Sequence, residues 1–177
     1  MRAGKARAAG VSQFCAAALA ALNATLRRAP TAAAFPTLHQ AGWHVGMGRD
    51  PFGIVSSAAA YGMELMAYSP LAEANPQLLN DTLERELADR HGVTTAQIAL
   101  RWLAQRGVPF AVAASNPAYQ RENLDVLSLT LSADEMAQLD AERTPAGCPF
   151  WPGSACWVMT CNRSTRIVRS VRPPAAR

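Results

Sequence analysis

The sequence predicts an α/β fold with a parallel sheet. Three features point to it. Strand-length apolar runs alternate with helical patterns along the chain, as crossover helices between parallel strands require. The clearest helical stretches open on capping codes and close on glycine. "VPFAVAAS", residues 108–115, is apolar throughout, as expected of a strand covered on both faces.

In order, "KARAAGV" reads as a small strand and "FCAAALAALNATLRR" as a helix of strong formers that stops before Pro30. "FPTLHQ" is a second strand, "DPFGIVSSAAAYG" a helix closed by Gly62, and "MELMAY" a third strand. In "LLNDTLERELADRHG", Asp81 and Glu84 are spaced for a capping box, and Leu79, Leu83 and Leu87 trace one apolar face. Thr94 and Gln97 make a second box, with Val93 and Ile98 as staple and Ile98, Trp102 and Leu103 as the buried stripe. "VPFAVAAS" is the fourth strand. Ser132 with Glu135 makes a third box, stapled by Leu131 and Met136, and starts the helix "ADEMAQLDAE". Periodicity fades after Pro145. Residues 1–145 read as one unit and 146–177 as an irregular basic tail.

Half of the 177 residues are apolar, enough for one domain with a sizeable core. No run reaches about eighteen apolar residues, the length a transmembrane helix needs. The net charge of +4 is unevenly spread: residues 1–30 and 143–177 hold basic groups and no acid, while the middle holds all 13 acids. The tail arginines are not interleaved with aromatics and match no nucleic-acid motif, so a nucleic-acid partner is not expected. The basic, alanine-rich opening has the composition of a targeting peptide, but it also reads as strand, turn and helix. Cys15, Cys148, Cys156 and Cys161 show no CxxC pair and no zinc-ligand spacing, which predicts reduced thiols and no metal. His91 precedes Gly92 at a helix end, where a histidine meets the terminal carbonyls; His44 does not read as a ligand.

Four parallel strands are half the number in an eight-stranded barrel, and in such sheets ligands lie beyond the carboxyl ends of the strands. The exits here are Ser12-Gln13-Phe14, His39-Gln40, Tyr68-Ser69-Pro70-Leu71 and Ser115-Asn116-Pro117. Hydroxyls, amides and exposed backbone donors at these points suit a carboxamide and phosphates. Taken singly, Ser12 and Ser69 read equally as caps, Gln40 as a partner for a strand-end carbonyl, and Tyr68 as core.

"GKARAAGVSQF", "FPTLHQ", "MAYSPLA", "TTAQIALRWLAQRGV" and "NPAYQRENLDVLSLTLSADEMAQLDA" occur in an order and spacing that resemble the carboxyl-terminal half of the aldo-keto reductases. The resemblance implies the carboxyl-terminal half of a (β/α)8 TIM barrel, an NADP cofactor and hydride transfer to an aldehyde or ketone. It places Ser12 and Gln13 at the family's Ser-Asn pair on the nicotinamide carboxamide, with Gln40 completing that clamp. It places Tyr68 on the nicotinamide ring and Ser69 and Leu71 at the turn that meets the pyrophosphate. Ser115 falls near the family's Lys-Ser pair, and Glu122 and Asn123 match its Glu-Asn pair near the adenine. Ala114 stands in the lysine's place and Tyr119 nearer the arginine's, so NAD is admitted as well as NADP.

The family's proton donor is a tyrosine tuned by lysine and aspartate, with a histidine beside the substrate. No catalytic residue is assigned here, because Lys5 is the only lysine and lies before the first strand. The expectation is a cofactor-binding half, cytoplasmic and inactive by itself, paired with a complementing half-barrel or a second copy. The alternatives are a non-catalytic nucleotide-binding or regulatory half-barrel, and a basic-tailed nucleic-acid binder.

Overall fold

A computed structural model describes residues 6–29 and 35–142. Four strands, β1 (Gly10–Ser12), β2 (Leu38–Gly42), β3 (Glu64–Tyr68) and β4 (Phe110–Ala111), form one sheet in the order β1-β2-β3-β4. Every pairing is parallel, with Ser12 opposite Gln40, Gly42 opposite Tyr68, and Tyr68 opposite Ala111. Sequential order with parallel pairing requires a crossover after each strand, and the helices supply them.

The helices are α1 (Ala16–Arg28), α2 (Ile54–Ala60) behind a 3-10 turn at Pro51–Gly53, α3 (Pro76–Leu79), α4 (Thr82–His91), α5 (Thr95–Gln105), α6 (Pro117–Asp125) and α7 (Ala133–Ala141). Alanine and leucine give α1 its propensity, and Arg27 and Arg28 in its last turn complement the helix dipole. The capping boxes at Thr94–Gln97 and Ser132–Glu135 form as expected, each satisfying two backbone donors. Gly92 ends α4 in the left-handed region at φ 66°, where a side chain would be strained.

Alanines Ala41 and Ala67, fully buried on adjacent strands, leave room for large side chains to pack in the main core with Trp43, Ile54, Leu87, Ile98, Trp102, Leu103 and Leu139. Trp43 and Trp102 meet edge to face with centroids 5.3 Å apart. The Arg106 guanidinium lies 4.6 Å from the Trp102 ring centre and pairs with Asp140, which also accepts from Trp102 Nε1 at 2.9 Å. This cluster ties the end of α5 to α7. A second tie joins α4 to α7: Glu135 accepts from Arg90 Nη1 and bonds His91 Nε2, each at 2.9 Å.

The structure corrects several expectations. The fourth strand spans two residues instead of eight, and Ala111 and Ala113 are exposed, so it is not covered on both faces. Helix α4 starts behind Asp81 as its cap spacing predicts, but Leu79, expected on the same apolar face, ends the separate short helix α3. No capping box forms at Asp81, whose carboxylate accepts from Leu83 N, while Glu84 is fully buried with neither carboxylate oxygen bonded. His91 bonds Glu135 through its side chain where contact with terminal carbonyls was expected. Cys15 is disulfide-bonded, where a reduced thiol was expected. Cys148, Cys156, Cys161, Lys5 and the basic tail expected at 146–177 lie outside the described residues. Among the described residues no helix is long and apolar enough to cross a membrane.

The two buried glutamates give opposite pH dependences. The Ser132 backbone N–H, with His91, the Ser132 side chain and Arg90, outweighs burial and lowers Glu135 to about 2 from its ordinary 4.5. Its stabilisation is complete above about pH 4.5 and fades as pH falls toward 2. Burial, with Asp81 and Glu142 nearby, raises Glu84 to about 8 from the same 4.5. Between those values the folded chain keeps a proton that the unfolded chain has released, so Glu84 weakens the fold as pH rises through that window. Thermal melts of Glu84→Gln are therefore expected to match the parent near about pH 4 and exceed it near about pH 9. Equal melting temperatures at the higher pH would contradict this account.

Candidate functional site

The parallel register brings the exits of β1, β2 and β3 to one corner. Gln13 follows β1 with a left-handed backbone, φ 58°, and its N–H donates to Gln40 O at 2.9 Å. That turn aims the Gln13 side chain across the sheet. Its Nε2 donates to the Tyr68 hydroxyl, and its Oε1 accepts from Gly42 N at 3.2 Å. One amide thus spans three strands and orients the Tyr68 phenol. Burial, opposed by the Gln13 bond and assisted by Glu73, raises the Tyr68 pKa, so the ring stays neutral at physiological pH.

Ser12 ends β1 and is exposed. Gln40 lies inside β2, not beyond it, because that strand runs on to Gly42; its Nε2 makes a weak 3.6 Å contact with Met66 Sδ. His39 supports the corner from below. It is fully buried, accepts from Phe14 N through Nε2 at 3.2 Å, and has no partner at Nδ1. Burial lowers its pKa, which keeps it neutral and able to accept.

Beyond Tyr68 a cleft of about 590 Å³ opens between the exits of β3 and β4. Ser69, Pro70, Leu71, Glu73 and Ala74 form one wall, and Ala111, Val112 and Ala113 the other. Its first wall is a tight turn in which Ser69, Ala72, Glu73 and Ala74 all have positive φ, between 47° and 59°. Non-glycine residues rarely adopt this region, and several together make a strained, defined concavity. Among the described residues, Glu73 is the only charged one lining it.

The remaining expected residues lie apart from this cleft. Ser115 is exposed, just before α6, whose cap is the Asn116 side chain accepting from Ala118 N at 2.9 Å. Glu122 and Asn123 sit on α6, half-buried, with Glu122 O accepting from Gln97 Nε2 at 3.1 Å. None of the three lines the cleft, whose second wall ends at Ala113. Helix α6 itself was not foreseen; it buries no residue, so it leaves no apolar period, and its signal was Asn116 followed by Pro117. Glu73 also escaped sequence reasoning, and His39, expected at the exit of the second strand, lies buried inside it. His39 falls at an inward strand position and Glu73 in a loop with no periodic signal.

A sheet of four parallel strands with strand-exit amides and a cleft beyond β3 and β4 is the architecture of a ligand-binding α/β barrel segment. The family profile described as the aldo/keto reductase family matches residues 1–143. The chain belongs to the aldo/keto reductase family. It is 38% identical over 96 residues to mouse (Mus musculus) aldo-keto reductase family 1 member A1, a match covering 50% of this chain and 30% of that protein. Dictyostelium discoideum aldose reductase B is 36% identical over 81 residues, 46% of this chain and 26% of its own length. Among solved structures, MGS-M4, an aldo-keto reductase from a Medee basin deep-sea metagenome library, superposes with TM-score 0.70 at 28% identity, covering 81% of this chain and 50% of that one. The aldose reductase of Schistosoma japonicum gives TM-score 0.67 at 26% identity over 81% and 44% of the two chains. The matched region therefore amounts to half or less of each relative's length.

The strained wall of the cleft makes a direct prediction. Ala74 is exposed with φ 58°, so Ala74→Gly removes a left-handed side-chain clash without opening a cavity. A stability gain of about 0.5–1 kcal/mol is expected in urea denaturation, where Ala→Gly at an ordinary helical site would lose a similar amount. A loss at this site would show that the turn is not held in the left-handed region.

Proposed function

We propose that this chain forms the dinucleotide-holding part of an NAD(P)-dependent aldo-keto reductase acting on aldehydes or ketones. Membership of the family supports the reading. The observation that carries it is the convergence of Gln13, Gly42 and Tyr68 at three adjacent strand exits, with Gln40 two residues inside its strand, beside the cleft behind Ser69 and Leu71.

The residues fit the nicotinamide end of such a cofactor. Ser12 offers an exposed hydroxyl, Gln13 retains one amide hydrogen and one lone pair, and Gln40 adds a second amide, which together match a carboxamide's donor and acceptor. Tyr68, held by Gln13, presents a flat neutral ring for stacking. Ser69 and Leu71 would meet the pyrophosphate, and Ser115, Glu122 and Asn123 would take the adenosine end. A bound nicotinamide supplies the hydride. The chain's own residues hold the ring, fix its face and keep water from it.

The fit is poorer at the phosphates. Glu73 places a carboxylate in the cleft where a pyrophosphate would lie, and Arg121 is exposed on α6. A unit-charge repulsion at about 4 Å is worth about 1 kcal/mol in water, or roughly fivefold in affinity. Glu73→Gln is therefore expected to tighten NADPH binding about fivefold, measured by quenching of tryptophan fluorescence. Unchanged affinity would remove Glu73 from the phosphate site.

A non-catalytic reading of residues 1–177 in isolation is favoured by the positions of the chain's three tyrosines. Tyr68 is bonded to Gln13, Tyr61 stacks on Phe35 at 5.0 Å, and Tyr119 is exposed on α6. No lysine occurs among the described residues to lower the pKa of any of them. Saturable binding of NADPH or NADH without turnover of a test aldehyde is the expected result for the 177-residue polypeptide, with activity arising only when a segment carrying a proton donor is supplied. Turnover by the polypeptide alone would overturn this assignment, and absence of binding would overturn the cofactor site.

A further inference from the structure

We propose that the disulfide of Cys15 joins the start of α1 to the segment beyond residue 142, through Cys148, Cys156 or Cys161, and that this bond holds the Gln13–Tyr68 corner in its binding geometry. Cys15 is disulfide-bonded, and the other three of the chain's four cysteines all lie beyond residue 142. Whichever of them takes part, the bridge encloses every described helix and the strands β2, β3 and β4. A cross-link restrains the unfolded chain more as its loop lengthens, and this loop is about 130 residues or longer.

The position of Cys15 ties the bond to the site. It stands two residues after Gln13, in a turn already fastened across the sheet: Gln13 bonds Gly42 and Tyr68, and Phe14 N donates to His39 Nε2 at 3.2 Å. Cys15 is buried in the core cluster that holds Ala41 and Trp43. It is also the N-cap of α1, its Sγ accepting from Ala18 N at 3.4 Å. Sulfur is a weak acceptor, and the residues that cap well carry an oxygen at this position. The first turn of α1 has no acidic residue to meet the helix dipole either. Non-covalent capping at this end of α1 is therefore slight, and the disulfide supplies the restraint. Fixing Cys15 fixes the turn before it, and with that turn the direction of the Gln13 amide.

The bond is reversible by thiol–disulfide exchange. A small dithiol gives up two electrons and two protons and becomes a disulfide, while Cys15 and its partner are released as thiols. Oxidised glutathione drives the reverse, taking two electrons and two protons from the cysteine pair and leaving as two thiols. Nucleotide affinity then follows the thiol–disulfide poise of the compartment, a consequence that rests on the nicotinamide assignment of this corner.

Peptide mapping of the 177-residue chain, equilibrated with oxidised glutathione and alkylated without reduction, tests the connectivity. Trypsin cleavage after Arg7, Arg27, Arg143 and Arg163 leaves Cys15 in peptide 8–27 and the other three cysteines together in peptide 144–163. Mass spectrometry is expected to find these two peptides joined. An alkylated Cys15, or peptide 8–27 joined to a second copy of itself, would overturn the proposal. Reduction by dithiothreitol is expected to lower the melting temperature by about 10 °C. It is also expected to speed amide exchange at Phe14 and Ala18, whose N–H groups bond His39 and Cys15. Cys15→Ser keeps a good helix cap without the bridge, so it is expected to melt no lower than the reduced parent and to be indifferent to dithiothreitol. NADPH affinity of the parent is expected to fall about threefold on reduction, as fewer chains keep the corner formed. Exchange rates or NADPH affinity unchanged by reduction would overturn the hold of the bond on the corner. Absence of NADPH binding in both redox states would overturn the cofactor reading instead, with the peptide map and the exchange rates still deciding the bond.

Discussion

The pairing of β2 with β3 is the constraint from which the site follows. It is the longest ladder in the sheet, five residues from Leu38 opposite Glu64 to Gly42 opposite Tyr68. Because the strands are parallel, their exits fall on the same side, and a residue leaving β1 can reach the end of β3 only across the end of β2. Gln13 makes that crossing by taking a positive φ and bonding both Gly42 and Tyr68. Slipping the register by one residue would turn Ala41 and Ala67 away from the core and break the Gln13 bridge together.

The molecule holds its least favourable features around this frame. Glu84 occupies a core position beside another carboxylate, Asp81, and the turn from Ser69 to Ala74 keeps four non-glycine residues in the left-handed region. Both carry a free-energy cost that packing elsewhere has to offset. The offset is visible in the ties to α7: Glu135 gathers Ser132, Arg90 and His91, and Asp140 gathers Arg106 and Trp102. Strain concentrated beside the cleft and bonding concentrated away from it is the distribution expected of a fold that shapes a binding wall at the expense of local stability.

Family membership and a shared fold do not settle what the polypeptide does, because function resides in particular side chains. Here the corner formed by Gln13, Gly42 and Tyr68 is assembled by hydrogen bonds that can be traced atom by atom. Among the described residues the cleft beside it is lined by a single charge, Glu73, and no lysine occurs, a poorer match to the phosphates proposed for it. The corner and the cleft thus differ in how well chemistry and resemblance agree.

Local codes made much of the fold legible. The boxes at Thr94–Gln97 and Ser132–Glu135, the stripe Ile98-Trp102-Leu103 and the strand ending at Tyr68 all appear where spacing placed them, because each depends on residues a few positions apart. The same rule at Asp81–Glu84 failed: packing drew Glu84 inward, and a spacing code cannot see the core it faces. Helix α6 was missed because a helix without a buried face writes no period, and β4 was overextended because apolar composition says nothing about which neighbour covers it. By itself the sequence determined the alternation of strands and helices, most of their caps, and the residues standing at strand exits. Only the tertiary structure decided that Gln13 bonds Tyr68, that Glu73 lines the cleft, and that Ser115, Glu122 and Asn123 stand apart from it, since these depend on distances between residues far apart in the chain.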